Sequence, residues 1–222
     1  MLQHLIRQLP SWVEAAIVIA FAFGYSILSS LYLLFSDSTS PPISSTVLVT
    51  LLVYEVCVLV MLWGFLTMRG WTFEAIGLRL TVRGVLAGVG LAAGIWVALA
   101  ILWVPVAMLF PAVHFSAATA NLVSKGLPVL LITAVSLLNP VYEEIFVCGY
   151  LITAVEKMKG VTTAVNASVA IRLLYHLYQG APAIAIVPIG LIFAFFYIRS
   201  RQLWPIVVAH GINDFASLLA NS

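Results

Sequence analysis

The chain has 222 residues, of which 63% are hydrophobic and only 8% are charged, and its formal net charge is +2. A water-soluble globular protein needs far more charge on its surface, so this composition excludes that class and indicates an integral membrane protein whose solvent is the lipid bilayer. The chain has no basic run that would bind nucleic acid, and its two cysteines, Cys57 and Cys148, lie in apolar runs that do not suit a disulfide framework.

Seven apolar segments follow one another along the chain, each close to the roughly 20 residues that a helix needs to cross a bilayer. They predict an all-α fold, a polytopic transmembrane helix bundle in which residues 1–222 form a single integral membrane domain. Proline removes a backbone hydrogen bond that lipid cannot replace, so a break at Pro105 or Pro140 would raise the count from seven spans to eight. The predicted spans are Val13 to Phe35, Ser45 to Thr67, Val85 to Phe110, Pro128 to Val155, Thr162 to Gln179, Ala183 to Ile198 and Leu203 to Leu219.

The lysines and arginines between the spans are distributed unevenly. Eight of them fall on one side of the predicted bundle, and Lys125 alone falls on the other. Positive charges in short loops favour the cytoplasmic side. The sequence therefore predicts an integral protein of the cell inner membrane with its N-terminus in the cytoplasm.

Ionisable side chains inside the predicted spans are the main functional signal, because a charge at mid-bilayer costs about 2.5 kcal/mol even on lenient insertion scales. A helix rise of about 1.5 Å per residue puts Glu143 and Glu144 roughly 20 Å, His176 roughly 21 Å and Asp214 roughly 19 Å from the predicted cytoplasmic ends of their helices. These depths nearly coincide, and His210 shares the helix face of Asp214, four residues away. Three helices are thus predicted to present acid and imidazole groups at one level.

Some of these residues also have a purely structural explanation. Glu55 fits a neutral packing acid, and Arg172 fits an ion-pair partner for Glu55 as well as it fits a catalytic residue. The adjacent carboxylates of Glu143 and Glu144 are harder to explain by packing, because two neighbouring acids cannot both ionise cheaply in a low dielectric. Their occurrence at one depth with the imidazoles favours an active site.

Three segments resemble the signature helices of the CPBP family, which is the Abi family of type 2 CAAX prenyl proteases and bacteriocin-processing enzymes. They are NPVYEEIFVCGYL (Asn139 to Leu151), RLLYHLYQG (Arg172 to Gly180) and WPIVVAHGINDF (Trp204 to Phe215). The resemblance assigns CPBP-like catalytic helices to residues 126–219. It implies a hydrolase that carries out intramembrane proteolysis, an endopeptidase whose partners are the bilayer and a membrane-embedded or lipidated peptide substrate.

The resemblance also implies a role for each matching residue. Glu143 corresponds to the first glutamate of the EExxxR motif and would activate water, with Glu144 in support. His176 corresponds to the histidine of the FxxxH motif and would help to position that water. His210 and Asp214 correspond to the HxxxN or HxxxD motif and would flank the scissile carbonyl and stabilise its developing oxyanion.

The chain departs from the family pattern at three positions. Cys148 stands where the first motif has arginine, and Arg172 stands where the second has phenylalanine. Since Arg172 lies one helical turn from His176, we hypothesise that it supplies the missing cation. Asp214 stands where one branch of the family has asparagine; an ionised carboxylate cannot donate to an oxyanion, so it must be protonated, orient His210 or bind a metal.

The residues leave two mechanisms and three functions open. Glu143, His176 and His210 are candidate Zn²⁺ ligands, since three protein ligands and a water form the usual catalytic zinc site, but the chain lacks an HExxH motif and we favour a metal-free mechanism without a cofactor. The missing arginine favours a non-catalytic CPBP-type protein acting in bacteriocin self-immunity or as a scaffold. A relay of Glu55 and the histidines would suit a proton-coupled transporter, although the sequence has no internal repeat of the transporter kind.

Overall fold

The computed structural model describes residues 8–36, 42–109 and 122–222. Seven helices lie in these ranges, and each overlaps one of the predicted spans. They are α1 (Ser11–Phe35), α2 (Ser45–Met68), α3 (Val82–Leu109), α4 (Val129–Lys159), α5 (Val161–His176), α6 (Ile186–Ser200) and α7 (Trp204–Asn221).

The connections that link α4, α5, α6 and α7 are short. Two 3₁₀ turns, Leu177–Gln179 and Ala181–Ala185, join α5 to α6. Within the described ranges, extended pairing is limited to an isolated bridge between Ile43 and Val123. The predicted all-α fold is therefore confirmed.

Five segments of the described chain are long and apolar enough to cross a membrane, namely α1, α2, α4, the part of α3 from Val82 to Pro105, and Pro182–Ser200, which includes α6. They support an integral membrane protein. α5 has only 16 residues, and α7 carries polar side chains that lower its hydropathy, so the predicted count of seven or eight spans is not confirmed. Pro105 and Pro140 both lie within described helices and do not end them.

Local sequence signals explain several helix ends. The Ser44 Oγ accepts a hydrogen bond from the Val47 N–H (3.4 Å) at the start of α2, and the Thr81 Oγ1 accepts one from the Gly84 N–H (3.0 Å) at the start of α3. Gly160 has φ +84°, a conformation that favours glycine, and it ends α4 and begins α5. This single-residue turn folds α5 back against α4, so the second motif lies beside the first.

α4 is the central helix of the bundle. Half of its most apolar stretch is buried, against 17–28% in the other candidate spans. Its middle section, Ile145–Ile152, is π-helical, and all eight of its residues are buried. This section begins directly after Glu144, at the first motif, where π-helical turns often mark functional sites. The sequence pattern predicted an ordinary helix here.

α7 packs closely against both α3 and α4. A Cβ atom on Gly211 would lie 2.5 Å from the carbonyl oxygen of Ser136, and one on Gly88 would lie 2.6 Å from the Cβ of Val208, so both contacts require glycine. Pro140 has no N–H to offer the Ser136 carbonyl four residues earlier. Gly211 therefore brings α7 against the part of α4 where the helical hydrogen bonding is interrupted, immediately before the first motif.

Candidate active site

The three motif helices meet at Glu144 of α4, which has no exposed surface. The Arg172 Nη2 of α5 donates to its Oε2 at 2.7 Å, and the His210 Nδ1 of α7 lies 2.7 Å from its Oε1. A carboxylate paired with arginine is an acceptor only, so the hydrogen in the second contact belongs to the His210 Nδ1. The histidine is thereby held in one orientation with its Nε2 directed away from Glu144.

Glu143 lies beside Glu144 and is 8% exposed. The Tyr175 hydroxyl donates to its Oε2 at 2.6 Å, and the Asn139 Nδ2 donates to its Oε1 at 3.2 Å. The Arg172 Nη1 lies 3.5 Å and the His210 Nε2 lies 3.9 Å from the same Oε2. Hydrogen bonds therefore hold the Glu143 carboxylate in place, and the His210 Nε2 is close enough for both groups to contact one small molecule, such as a water.

Arg172 is 2% exposed and lies between the two glutamates. The Nη2 atom that binds Glu144 is also 3.7 Å from the Cys148 Sγ. The guanidinium of Arg172, from α5, thus lies next to the side chain at position 148 of α4. Within the described part of the chain Arg172 pairs with Glu143 and Glu144, and the alternative interpretation, an ion pair with Glu55, is not observed.

His210 is flanked on both ring nitrogens by acids. Its Nδ1 contacts Glu144, and its Nε2 lies 3.5 Å from the Asp214 Oδ1, one turn farther along α7. The ring of Phe193 from α6 covers this region, with its centroid 5.8 Å from the imidazole centroid and 5.4 Å from the guanidinium carbon of Arg172. Two carboxylates on opposite sides stabilise the imidazolium form, in which both nitrogens donate.

His176 lies at the edge of this group. Its Nδ1 is 2.9 Å from the carbonyl oxygen of Arg172, and its ring centroid is 4.5 Å from that of Tyr175. It interacts electrostatically with Glu143 and His210, but the direct hydrogen bond to Glu143 comes from Tyr175. Tyr175 is not among the site residues predicted from the sequence, although its position immediately before His176 in the second motif was a usable signal.

One group of described residues has the spacing of a metal site: one ligand atom from each of Glu143, Glu144 and His210 lies within 4.8 Å of the other two. This group contains Glu144 where the predicted zinc set had His176. Both oxygens of Glu144 already accept a hydrogen bond, one from Arg172 and one from His210, so a metal ion held there would share a Glu144 oxygen with one of these donors.

The fold and the polar cluster define an integral membrane protein with a buried acid–imidazole–arginine site. Residues 125–216, which include α4 to α6 and most of α7, match the family model described as Type II CAAX prenyl endopeptidase Rce1-like. This match confirms the resemblance to the CPBP/CAAX protease family and, at the level of the family, supports a CAAX-type intramembrane protease. No curated protein and no solved structure matches the chain significantly.

Proposed function

We propose that the protein is an intramembrane endopeptidase that hydrolyses a peptide bond of a membrane-embedded or lipidated substrate. The main support is the buried cluster of Glu143, Glu144, Arg172 and His210, which lies within the segment that matches the CAAX endopeptidase family. Peptide hydrolysis requires an activated water, a stabiliser for the oxyanion and an acid for the leaving amine. The cluster contains a candidate for each task.

In the proposed mechanism Glu143 is the general base. It takes a proton from a water molecule while the water oxygen bonds to the scissile carbonyl carbon, and the carbonyl becomes an oxyanion. The imidazolium N–H at the His210 Nε2, 3.9 Å from the Glu143 Oε2, stabilises that oxyanion. When the C–N bond breaks, Glu143 returns its proton to the leaving nitrogen. Tyr175 and Asn139 orient the carboxylate through their hydrogen bonds.

Glu144 and Arg172 support this chemistry without contacting the substrate. Glu144 fixes the orientation of the His210 ring through Nδ1, and Arg172 balances the charge of Glu144 from 2.7 Å. Arg172 thereby takes the role of the arginine that the family has at the position of Cys148. Asp214 and His176 act at the edge of the site, where Asp214 favours the charged form of His210 and His176 helps to position the water.

The proposed mechanism needs no metal, because Glu143 activates the water and His210 stabilises the oxyanion. A zinc mechanism with a bound water at Glu143 is the alternative. Exhaustive chelation followed by metal analysis of the purified protein separates the two. Activity that persists in metal-free protein supports the glutamate mechanism, and activity that is lost on chelation and restored by zinc alone contradicts it.

We infer that the protein resides in the cell inner membrane with its N-terminus in the cytoplasm. The support is the excess of lysine and arginine in the loops on one side of the bundle. A Glu74→Cys variant, with the new cysteine in the exposed loop before α3, tests this orientation by cysteine-accessibility labelling. Labelling by a membrane-impermeant reagent from the cytoplasmic side alone agrees with the proposal, and labelling from the opposite side alone contradicts it.

The test of the function compares wild-type protein with Glu143→Ala after reconstitution into lipid vesicles, using a library of membrane peptides and a proton-flux assay. The exposed Glu74→Ala serves as the control for loss of a carboxylate elsewhere. Cleavage by wild type and by Glu74→Ala, but not by Glu143→Ala, supports the endopeptidase. Proton flux without cleavage would instead support a transporter. The absence of both cleavage and proton flux would favour a non-catalytic scaffold.

A further inference from the structure

Glu55 is an acid that the proposed mechanism does not use, and it lies close to the reacting groups. It is on the inward face of α2 and is 2% exposed. It interacts electrostatically with Glu143 on α4 and with His210 and Asp214 on α7. The preceding residue on α2, Tyr54, also packs near this part of α4, with its ring centroid 6.4 Å from that of Tyr142, the residue before Glu143. α2 therefore contributes an acid to a site otherwise formed by α4, α5 and α7.

The other three carboxyl groups of the site have hydrogen-bond or ion-pair partners, whereas the Oε2 of Glu55 has no hydrogen-bond partner among the described residues. Arg172 pairs with Glu143 and Glu144. Asp214 faces the His210 ring and keeps 27% of its side chain exposed. The Oε2 of Glu55, in contrast, is buried and makes no hydrogen bond within the described chain. A carboxylate oxygen that is buried without a hydrogen-bond donor is unfavourable when it carries a charge, so a protonated Oε2 suits this position better.

We propose that Glu55 is a neutral carboxylic acid that donates a hydrogen bond to a carbonyl oxygen of the substrate peptide between α2 and the Glu143–His210 pair. The proposal rests on the proposed endopeptidase function. A peptide carbonyl needs a donor when it enters a site without bulk water, and a neutral carboxyl group offers one O–H for it. Glu55 is thus a substrate-binding residue of the same site, and the three acids already described keep their separate roles.

Infrared spectroscopy tests the charge of Glu55 without any substrate. The carbonyl stretch of a neutral carboxylic acid lies above the amide band, apart from the carboxylate stretches. At neutral pH the wild-type spectrum should contain a neutral-acid band that is missing from Glu55→Gln and present in Glu74→Gln, the control that replaces an exposed glutamate. A Glu55→Gln protein that loses carboxylate bands and keeps every neutral-acid band would overturn the proposal. This outcome is independent of whether the protein cleaves peptides.

Cleavage kinetics test the donor role. Glu55→Gln keeps an N–H donor, so its KM and kcat should stay within about threefold of the wild-type values. Glu55→Ala should raise KM about tenfold or more, with a smaller change in kcat. Val58→Ala, which truncates a buried apolar neighbour on α2, is the control for lost packing. Equal losses in Glu55→Gln and Glu55→Ala, or full activity in Glu55→Ala, would overturn the donor role. If wild type cleaves nothing, the endopeptidase proposal fails while the infrared result still decides the state of Glu55.

Discussion

Replacing Arg172 tests whether this residue carries the cation that the first motif lacks at Cys148. The Arg172 Nη2 lies 2.7 Å from the Glu144 Oε2, and at an effective dielectric constant of about 20 two unit charges at that distance attract by about 6 kcal/mol. Desolvation offsets part of this attraction, but removing one partner of a buried pair costs about 3–5 kcal/mol, because the other charge is left buried alone. Arg172→Phe should therefore be strongly destabilised and inactive.

A second substitution on α4 distinguishes a lost cation from a lost side chain. Because the Arg172 guanidinium lies 3.7 Å from the Cys148 Sγ, an arginine at position 148 can reach the same carboxylates. The double variant Cys148→Arg with Arg172→Phe restores the family pattern and should recover most of the stability and cleavage that Arg172→Phe loses. Cys148→Ala, which leaves Arg172 in place, should retain activity.

The measurements are the midpoint of thermal unfolding in detergent, followed by tryptophan fluorescence, and cleavage of a membrane peptide after reconstitution. An Arg172→Phe protein as stable and active as wild type would refute the assignment of the cation to Arg172. A double variant no better than the single variant would refute the idea that positions 148 and 172 supply the same charge.

Two further substitutions test contacts that position the catalytic groups. Tyr175→Phe removes the 2.6 Å hydrogen bond to Glu143 and should lower kcat/KM about 10- to 100-fold, since a hydrogen bond to a charged group contributes about 1.5–3 kcal/mol. Gly211→Ala puts a Cβ 2.5 Å from the Ser136 carbonyl oxygen and should lower both the unfolding midpoint and activity, because overpacking costs about 1–3 kcal/mol and displaces His210 on the same helix.

Each of these variants has a matched control. Tyr25→Phe removes a hydroxyl from an exposed tyrosine of α1 and should leave kcat/KM unchanged. Gly94→Ala adds a Cβ on α3 where no atom lies within 4 Å, and it should not lower the unfolding midpoint. Wild-type kinetics in Tyr175→Phe would remove that residue from the site. An unfolding midpoint of Gly211→Ala equal to that of Gly94→Ala would mean that α7 does not depend on the close approach.

The helices and the level of the polar groups could be predicted from sequence because both depend on local periodicity. An apolar run of bilayer length predicts a helix with little reference to the rest of the chain, and the rise per residue then predicts depth. The similar depths of the polar residues in the bilayer predicted that groups on α4, α5 and α7 would meet. The contacts of Glu144 with Arg172 and His210 agree with this prediction. The roles of these residues, and the single-domain organisation, stay predictions.

The features that sequence reasoning missed depend on orientation about the helix axis. The π-helical section Ile145–Ile152 changes the direction in which the side chains of α4 after Glu144 point. No composition signal distinguishes it from an ordinary helix. Tyr175 and His176 are adjacent and point in different directions, so only the packing of α5 decides which of them contacts Glu143. The same orientation puts Glu144, in place of His176, in the group with metal-site spacing.

The position of Glu55 could not be predicted for a related reason. It is 88 residues from Glu143 in the chain, and its proximity depends on the packing of α2 against α4. An ion pair of Glu55 with Arg172 was one alternative predicted from the sequence, because both residues lie in predicted spans. The structure instead pairs Arg172 with the two glutamates of α4, and no arginine or lysine forms an ion pair with Glu55 in the described part of the chain.

The central claim is that Glu143 activates water for peptide hydrolysis, and product analysis in ¹⁸O-labelled water tests it most directly. Wild-type and Glu143→Gln proteins are reconstituted and given the same membrane peptide, and the products are identified by mass spectrometry. We expect wild type to yield a new carboxyl terminus that carries one ¹⁸O atom, and Glu143→Gln to yield no product. Cleavage by Glu143→Gln at the wild-type rate, or a wild-type product without the label, would contradict the mechanism.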